Sequence, residues 1–222
     1  MAVLIGTAAT VGILVLHKPT PPVRTSSAYA GPYAPVTLNA DNSVTMAQPG
    51  VTKPVLDVYE DFQCPTCRTF EEASGGMIQR LADQGKVAVV YHPFTIFSAQ
   101  PSLGNSIRAW AAAKCVPAGR WVRYHNALYA SQPAETAADG FPVSLLVRLG
   151  KGIGITSRAF AQCVRSQQYA PQNPPLSNQI INAGVSDMPT VELNGKAIST
   201  RLTPSALRKR IESAAQARTL QA

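Results

Sequence analysis

Two cysteines two residues apart, Cys64-Pro65-Thr66-Cys67, are the part of this sequence best suited to chemistry. The thiolate is the reactive form of cysteine, and a pair at this spacing closes a small disulfide ring that can open and re-form. The pair follows the apolar run Val55 to Phe62 and opens a helical pattern. Cys64 is thereby placed at a helix N-terminus, where free backbone N–H groups and the helix dipole favour a negative sulfur. Pro65 suits the first helical position, which does not use its missing N–H. C-x-x-C pairs also build zinc sites, but Cys115 and Cys163 stand far apart, and none of His17, His92 and His125 is at ligand spacing from another. An inert structural disulfide would leave the helix-start placement without purpose. Redox chemistry at Cys64 and Cys67 is the better reading, with no cofactor and no metal.

The elements around the pair follow from periodicity. Val36-Thr37-Leu38 and Val44-Thr45-Met46 flank an Asp41-Asn42 turn and predict a hairpin. Val55 to Tyr59 predicts a central strand. A helix is predicted from Pro65 to Gln84, kinked at Gly75-Gly76 and stopped by Gly85, followed by a strand over Val87 to Tyr91. From Ser98 to Ala183 the pattern is helical: Asn105 to Cys115, Gly119 to Ser131, Pro142 to Leu149, Thr156 as N-cap towards Gln167, and, after a break at Pro171 to Pro175, Leu176 to Ala183. Thr190 to Leu193 returns to strand and turns at Asn194-Gly195 into Ala197-Ile198. Thr203-Pro204 then starts a last helix with Leu207 and Ile211 on one face.

The chain has 222 residues, 45% of them apolar and 14% charged, with a formal charge of +8. Only Arg208-Lys209-Arg210 clusters its basic residues, and no nucleic-acid motif is present, so nucleic acid is not an expected partner. Ala2 to Leu16 is apolar and followed by His17-Lys18, which predicts a signal-anchor or signal peptide over 1–18, with a buried helix as the other reading. Ala28-Tyr29-Ala30 is a cleavage match, and 19–34 reads as an exposed Pro/Ser-rich tether. Export agrees with an even number of cysteines. Cys115 lies on a stripe with Ile107 and Ala111, and Cys163 lies on one with Phe160 and Val164. A structural disulfide between these cysteines is predicted, two buried free thiols being the alternative.

With this order of elements, the sequence resembles the thioredoxin superfamily, and within it the DsbA-like exported thiol oxidoreductases. The resemblance rests on Asp61-Phe62-Gln63-Cys64-Pro65-Thr66-Cys67, on the inserted helical block and on Met188-Pro189-Thr190 before the late strand, and covers about Val55 to Ala214. It implies an α/β thioredoxin fold over 35–97 and 184–222 with a helical insertion at 98–183, preceded by the N-terminal apolar segment. It also implies a cis peptide bond before Pro189, close to the sulfurs, with the backbone of Met188 available to a bound peptide. Cys64 would be the nucleophile and Cys67 the resolving thiol, supported by Pro65, Thr66, Met188 and Thr190.

Two departures from the family matter. DsbA proteins of the Gram-negative type carry histidine where Thr66 stands, so Cys64 should be activated less strongly here. The buried acid that the family places six residues before the first cysteine is replaced by Val58; Glu60, on the same face, is the candidate to relay protons to Cys67, or else a strand-end surface carboxylate. His92-Pro93 reads as a loop pair, Trp110 and Trp121 as core or groove residues, and Phe94, Ile96 and Phe97 as groove or core. The expected function is introduction of disulfides into exported proteins at Cys64 and Cys67. Reduced exported proteins would be its substrates, and a membrane reoxidase of DsbB or VKOR type its partner. The domain would be tethered outside the cytoplasm, or periplasmic or secreted after cleavage. A reductase or isomerase is the first alternative; a non-catalytic metal-binding or scaffold module, with Met188 as a third soft ligand, is the second.

Overall fold

The computed structural model describes residues 29–219. The expected signal segment 1–18 and most of the expected tether lie outside the described residues. Among the described residues no helix is long and apolar enough to cross a membrane. The end of the supposed tether is packed rather than exposed: Ala34 is buried, the Tyr33 ring lies under the Arg123 guanidinium, and Tyr29 lies under that of Arg80. Aromatic rings give this stretch the apolar area that a Pro/Ser-rich composition conceals.

Six strands make one sheet. β1 (Val36–Leu38) and β2 (Val44–Met46) pair antiparallel across the Asp41-Asn42 turn, with Asn42 at φ 71°. β3 (Val55–Glu60) alternates so that Leu56, Val58 and Glu60 face the interior. β4 (Ala88–Pro93) runs parallel to it, and β5 (Thr190–Leu193) pairs with its other edge and turns into β6 (Lys196–Ile198). That turn places Asn194 and Gly195 at φ 53° and 73°, the two positive angles a tight hairpin needs. The order β1-β2-β4-β3-β5-β6 makes β3, the strand leading to the cysteines, central. His92 and Pro93 belong to β4 rather than to a loop, because the parallel register continues to Tyr59↔His92 and Glu60↔Pro93.

The crossover from β3 to β4 is α1 (Pro65–Phe70), a π-helical turn over Glu71–Gly75, and α2 (Gly76–Asp83). The expected kink is thus a π turn. Between β4 and β5 come α3 (Ser102–Lys114), α4 (Trp121–Ala130), α5 (Val143–Gly152), α6 (Arg158–Ser166) and α7 (Asn173–Asn182). α3 starts one turn before the predicted Asn105, where Gln100 Oε1 accepts from the Gly104 N–H. The N-cap of α6 is Ser157, not Thr156; its hydroxyl accepts from Phe160 N. Pro174 and Pro175 sit inside the first turn of α7 instead of breaking it, since that turn leaves N–H groups unused. α8 (Pro204–Thr219) packs on α2, burying Leu207 and Ile211, with Thr203 Oγ1 accepting from Ala206 N. Trp110 and Trp121 are core residues. Cys115, at the end of α3, and Cys163, in α6, are joined in a disulfide with Cα atoms 5.9 Å apart.

Candidate dithiol active site

β3 ends beneath a loop that Asp61 holds together. Its carboxylate accepts from Gln63 N at 2.8 Å, Ile96 N at 3.0 Å and Ser106 Oγ at 2.5 Å, and its carbonyl accepts from Cys64 N at 3.0 Å. The side chain is fully buried, and burial pushes it up to about 7 against the pull of those bonds. Gln132 Nε2, from beyond the end of α4, donates to the carbonyls of Phe62 and Cys64, both at 2.9 Å. These bonds fix Cys64 in an extended conformation, φ −77° and ψ 120°, as the N-cap of α1, with Pro65 at the first helical position. The first turn of the helix therefore points its free N–H groups at the sulfur.

Cys64 and Cys67 are both free thiols in this structure, and their environments are opposite. The Cys64 thiol is lowered to about 6, first by the hydrogen bond from Cys67 and then, against the cost of burial, by Thr66 and the neighbouring backbone N–H groups. Cys67 is pushed well above its ordinary value, first by burial, then by facing the Cys64 sulfur, with Glu60 adding to the rise. Thr66 Oγ1 lies 2.9 Å from Cys64 Sγ and donates to the Met188 carbonyl at 2.7 Å. The Met188–Pro189 bond is cis, and Thr190 Oγ1 donates back to the Asp187 carbonyl at 2.6 Å, closing that loop. Thr190 thus supports the loop.

A groove of about 660 Å³ opens beside the pair, bounded by Thr66, Phe70 and Ala73 on one side and Met188, Ile198 and Leu202 on the other. Phe94, Ile96 and Phe97 do not line it. Phe94 is buried, Phe97 packs on the core, and the Ile96 backbone serves Asp61.

Glu60 is not a surface carboxylate: it is 1% exposed. Its Oε1 lies 2.8 Å from His125 Nε2, and its Oε2 accepts from the Tyr129 hydroxyl at 3.0 Å. Burial alone would lower the His125 imidazole, but the Glu60 carboxylate overrides it and holds the ring at about 9. Glu71, also 1% exposed, is pushed by burial up to about 8. His125, Tyr129 and Glu71 carry no motif, and Asp61, although it opens the stretch that ends at Cys67, was given no role of its own by the sequence. The one available signal was Gly75 behind Glu71, for a Cβ at Gly75 would lie 2.2 Å from Glu71 Oε2.

A family model described as thioredoxin matches residues 51–213. Similar solved structures include the reduced form of the disulfide bond oxidoreductase DsbG from Mycobacterium tuberculosis, 32% identical, covering 76% of this chain and 82% of that one at a TM-score of 0.64. Oxidised DsbA from the same organism is 31% identical over 82% of this chain and 92% of that one, with a TM-score of 0.66. MdbA, a thiol-disulfide oxidoreductase from Corynebacterium diphtheriae, shares the fold at 20% identity, covering 84% and 96% at a TM-score of 0.67. Among curated proteins, the serine/threonine-protein kinase PknE of Mycobacterium tuberculosis is 28% identical over 139 residues, which are 59% of this chain and 24% of that protein. The chain therefore matches about a quarter of the length of that curated relative.

Proposed function

This chain belongs to the thioredoxin family, among its DsbA-like thiol–disulfide oxidoreductases, and on that premise we propose that it introduces disulfide bonds into exported proteins through Cys64 and Cys67. The observation that carries the direction of electron flow is the opposite displacement of the two thiols. A low Cys64 value stabilises the reduced protein, and a stabilised reduced form makes the disulfide a stronger oxidant.

In the oxidised protein a substrate thiolate attacks Cys64 Sγ. The Cys64–Cys67 bond breaks, a mixed disulfide forms, and the electron pair leaves on Cys67, whose sulfur takes up a proton. The second substrate thiolate attacks the substrate sulfur of the mixed disulfide and expels Cys64 as a thiolate. The substrate loses two electrons, and the protein holds them as the dithiol. Glu60, buried beside Tyr129 and near enough to act on Cys67, is the group proposed to exchange the Cys67 proton. The substrate chain is proposed to lie in the groove, with the Met188 carbonyl accepting one of its N–H groups.

Thr66 ties these events together. A hydroxyl has one proton, so while Thr66 donates to Met188, the Cys64 thiol donates to Thr66. A Cys64 thiolate, formed as the product leaves, needs that proton itself and draws the Thr66 hydroxyl away from the Met188 carbonyl. Export, a membrane tether and reoxidation by a membrane partner of DsbB or VKOR type complete the proposal. The test is the equilibrium of Cys64–Cys67 with glutathione. A potential between about −120 and −200 mV is expected, whereas a value near that of thioredoxin, about −270 mV, would make the protein a reductase.

A further inference from the structure

Behind Cys67 lies a set of groups that disulfide exchange does not require. Glu60 from the end of β3, Glu71 from the π turn and His125 from α4 each offer one atom to a common point, all within 4.8 Å of one another, and all three residues are buried. We propose that Glu60, Glu71 and His125 form a buried site for a first-row divalent cation of the zinc class, pinning β3, the π turn and α4 together.

The hydrogen bonds leave a gap that such a cation fills. Asn126 Oδ1 lies 3.0 Å from His125 Nδ1, and the Asn126 amide is oriented by paired bonds with Gln79, its Oδ1 accepting at 2.9 Å and its Nδ2 donating at 3.2 Å. An amide oxygen only accepts, so Nδ1 carries a proton, and the position between Nε2 and Glu60 Oε1, 2.8 Å apart, is left to a second proton or to a cation. Without either, the nitrogen lone pair and the carboxylate oxygen would face each other as two acceptors. A proton would serve this pair but do nothing for Glu71, whose two carboxylate oxygens are buried with no hydrogen-bond partner. A buried orphan of that kind costs about 1–3 kcal/mol or more and calls for a partner. One divalent cation satisfies all three side chains and cancels the two carboxylate charges.

The donor set of one imidazole and two carboxylates suits zinc, with Asn126 orienting the imidazole from behind. Tetrahedral ligands stand about 3.4 Å apart, so Glu60 Oε1 and His125 Nε2 part by about 0.6 Å from 2.8 Å and the Glu71 carboxylate swings in by up to about 1.4 Å, which fills three of the four positions. The π turn and Gly75 make room for that carboxylate, since a Cβ at position 75 would occupy its place. The site is sealed, so the cation enters as the chain folds. Bound there, it withdraws Glu60 from proton exchange with Cys67; the proposed relay then runs in the metal-free form.

The test reads binding directly and is independent of the redox proposal. Oxidised protein, its four cysteines closed in disulfides, is unfolded without reduction and refolded with zinc or with chelator. One zinc per chain should survive gel filtration in EDTA when zinc was present during refolding. Glu71→Gln should lower retention at least about 10-fold. Equal retention by Glu71→Gln, or none by the parent, overturns the site. If Glu71→Gln does not refold, cobalt in the parent protein decides. A d–d spectrum without sulfur charge transfer is expected, while a sulfur band or no visible band overturns the proposal.

Discussion

Replacing Thr66 by Val removes the side-chain hydroxyl that lies against the nucleophile and keeps the shape. The bond it deletes is 2.9 Å long and, to a thiolate, is a hydrogen bond to a charged group, with a net value of about 1.5–3 kcal/mol. At 1.36 kcal/mol per pKa unit this is about 1–2 units, taking Cys64 from about 6 to about 7–8. At pH 7 the ionised fraction should fall from about 90% to between about 10 and 50%. The reduced protein loses about 1.0–1.4 kcal/mol of thiolate stabilisation, so the disulfide becomes less oxidising by about 20–30 mV. The ultraviolet thiolate absorbance of the reduced protein measures the shift cleanly. Cys115 and Cys163 are bonded to each other, and Cys67 titrates far higher. Thr66→Ser keeps the hydroxyl and should stay near the parent value. A Val variant whose midpoint lies within about 0.3 unit of the parent would refute the assignment of Thr66 as a thiolate donor and the proton sharing with Met188 built on it.

Four further outcomes follow from the same geometry. Thr66→His places a cation at the sulfur and should lower the Cys64 midpoint and raise the potential, read by the same titration and by glutathione equilibrium. Alkylation of the reduced protein should label Cys64 first, at a rate that climbs as pH rises through about 6 and then levels, because deprotonation creates the nucleophile; a midpoint near 8.5 would contradict the helix-start activation. Cys64→Ala should abolish oxidation of a dithiol peptide, and Cys67→Ala should accumulate mixed disulfides visible on non-reducing gels. Replacing both Cys115 and Cys163 by Ala opens a closure spanning 48 residues and should lower unfolding free energy by about 4 kcal/mol in denaturant, leaving the Cys64 titration unchanged.

Much of the fold could be read because its signals are local. A dense apolar run marks β3, Asn194-Gly195 demands the two positive φ angles of its turn, and Thr203-Pro204 carries its own cap. The dithiol is local in the same way: strand, cysteine, proline and helix lie within one stretch of chain. Helix starts were less legible. Ser157 and Thr156 are chemically alike as caps, and only the backbone angles of Ser157, φ −66° and ψ 140°, decide between them. Phe94, Ile96 and Phe97 read equally as groove or core residues because they follow a strand beside the site, and Phe94 lies in the core. The groove instead opens on the opposite edge of β3, towards β5 and β6, a matter of strand order that periodicity does not encode.

The buried network behind Cys67 shows what lies beyond such reading. Glu60 is separated from Tyr129 by 69 residues and from His125 by 65, and each alone looks like an ordinary polar side chain. Burial gives them meaning, and burial is a property of the assembled β3 and α4. A local misfit was nevertheless present. Gly75 and Gly76 in mid-helix each cost up to about 1 kcal/mol relative to alanine. A kink explains one such cost by flexibility and leaves both residues without a function. The π turn explains Gly75 differently, because the space a Cβ would fill is taken by the Glu71 carboxylate. Helix propensity has been given up there to hold a carboxyl group in the core, and local rules are broken in this way where a protein keeps a functional site.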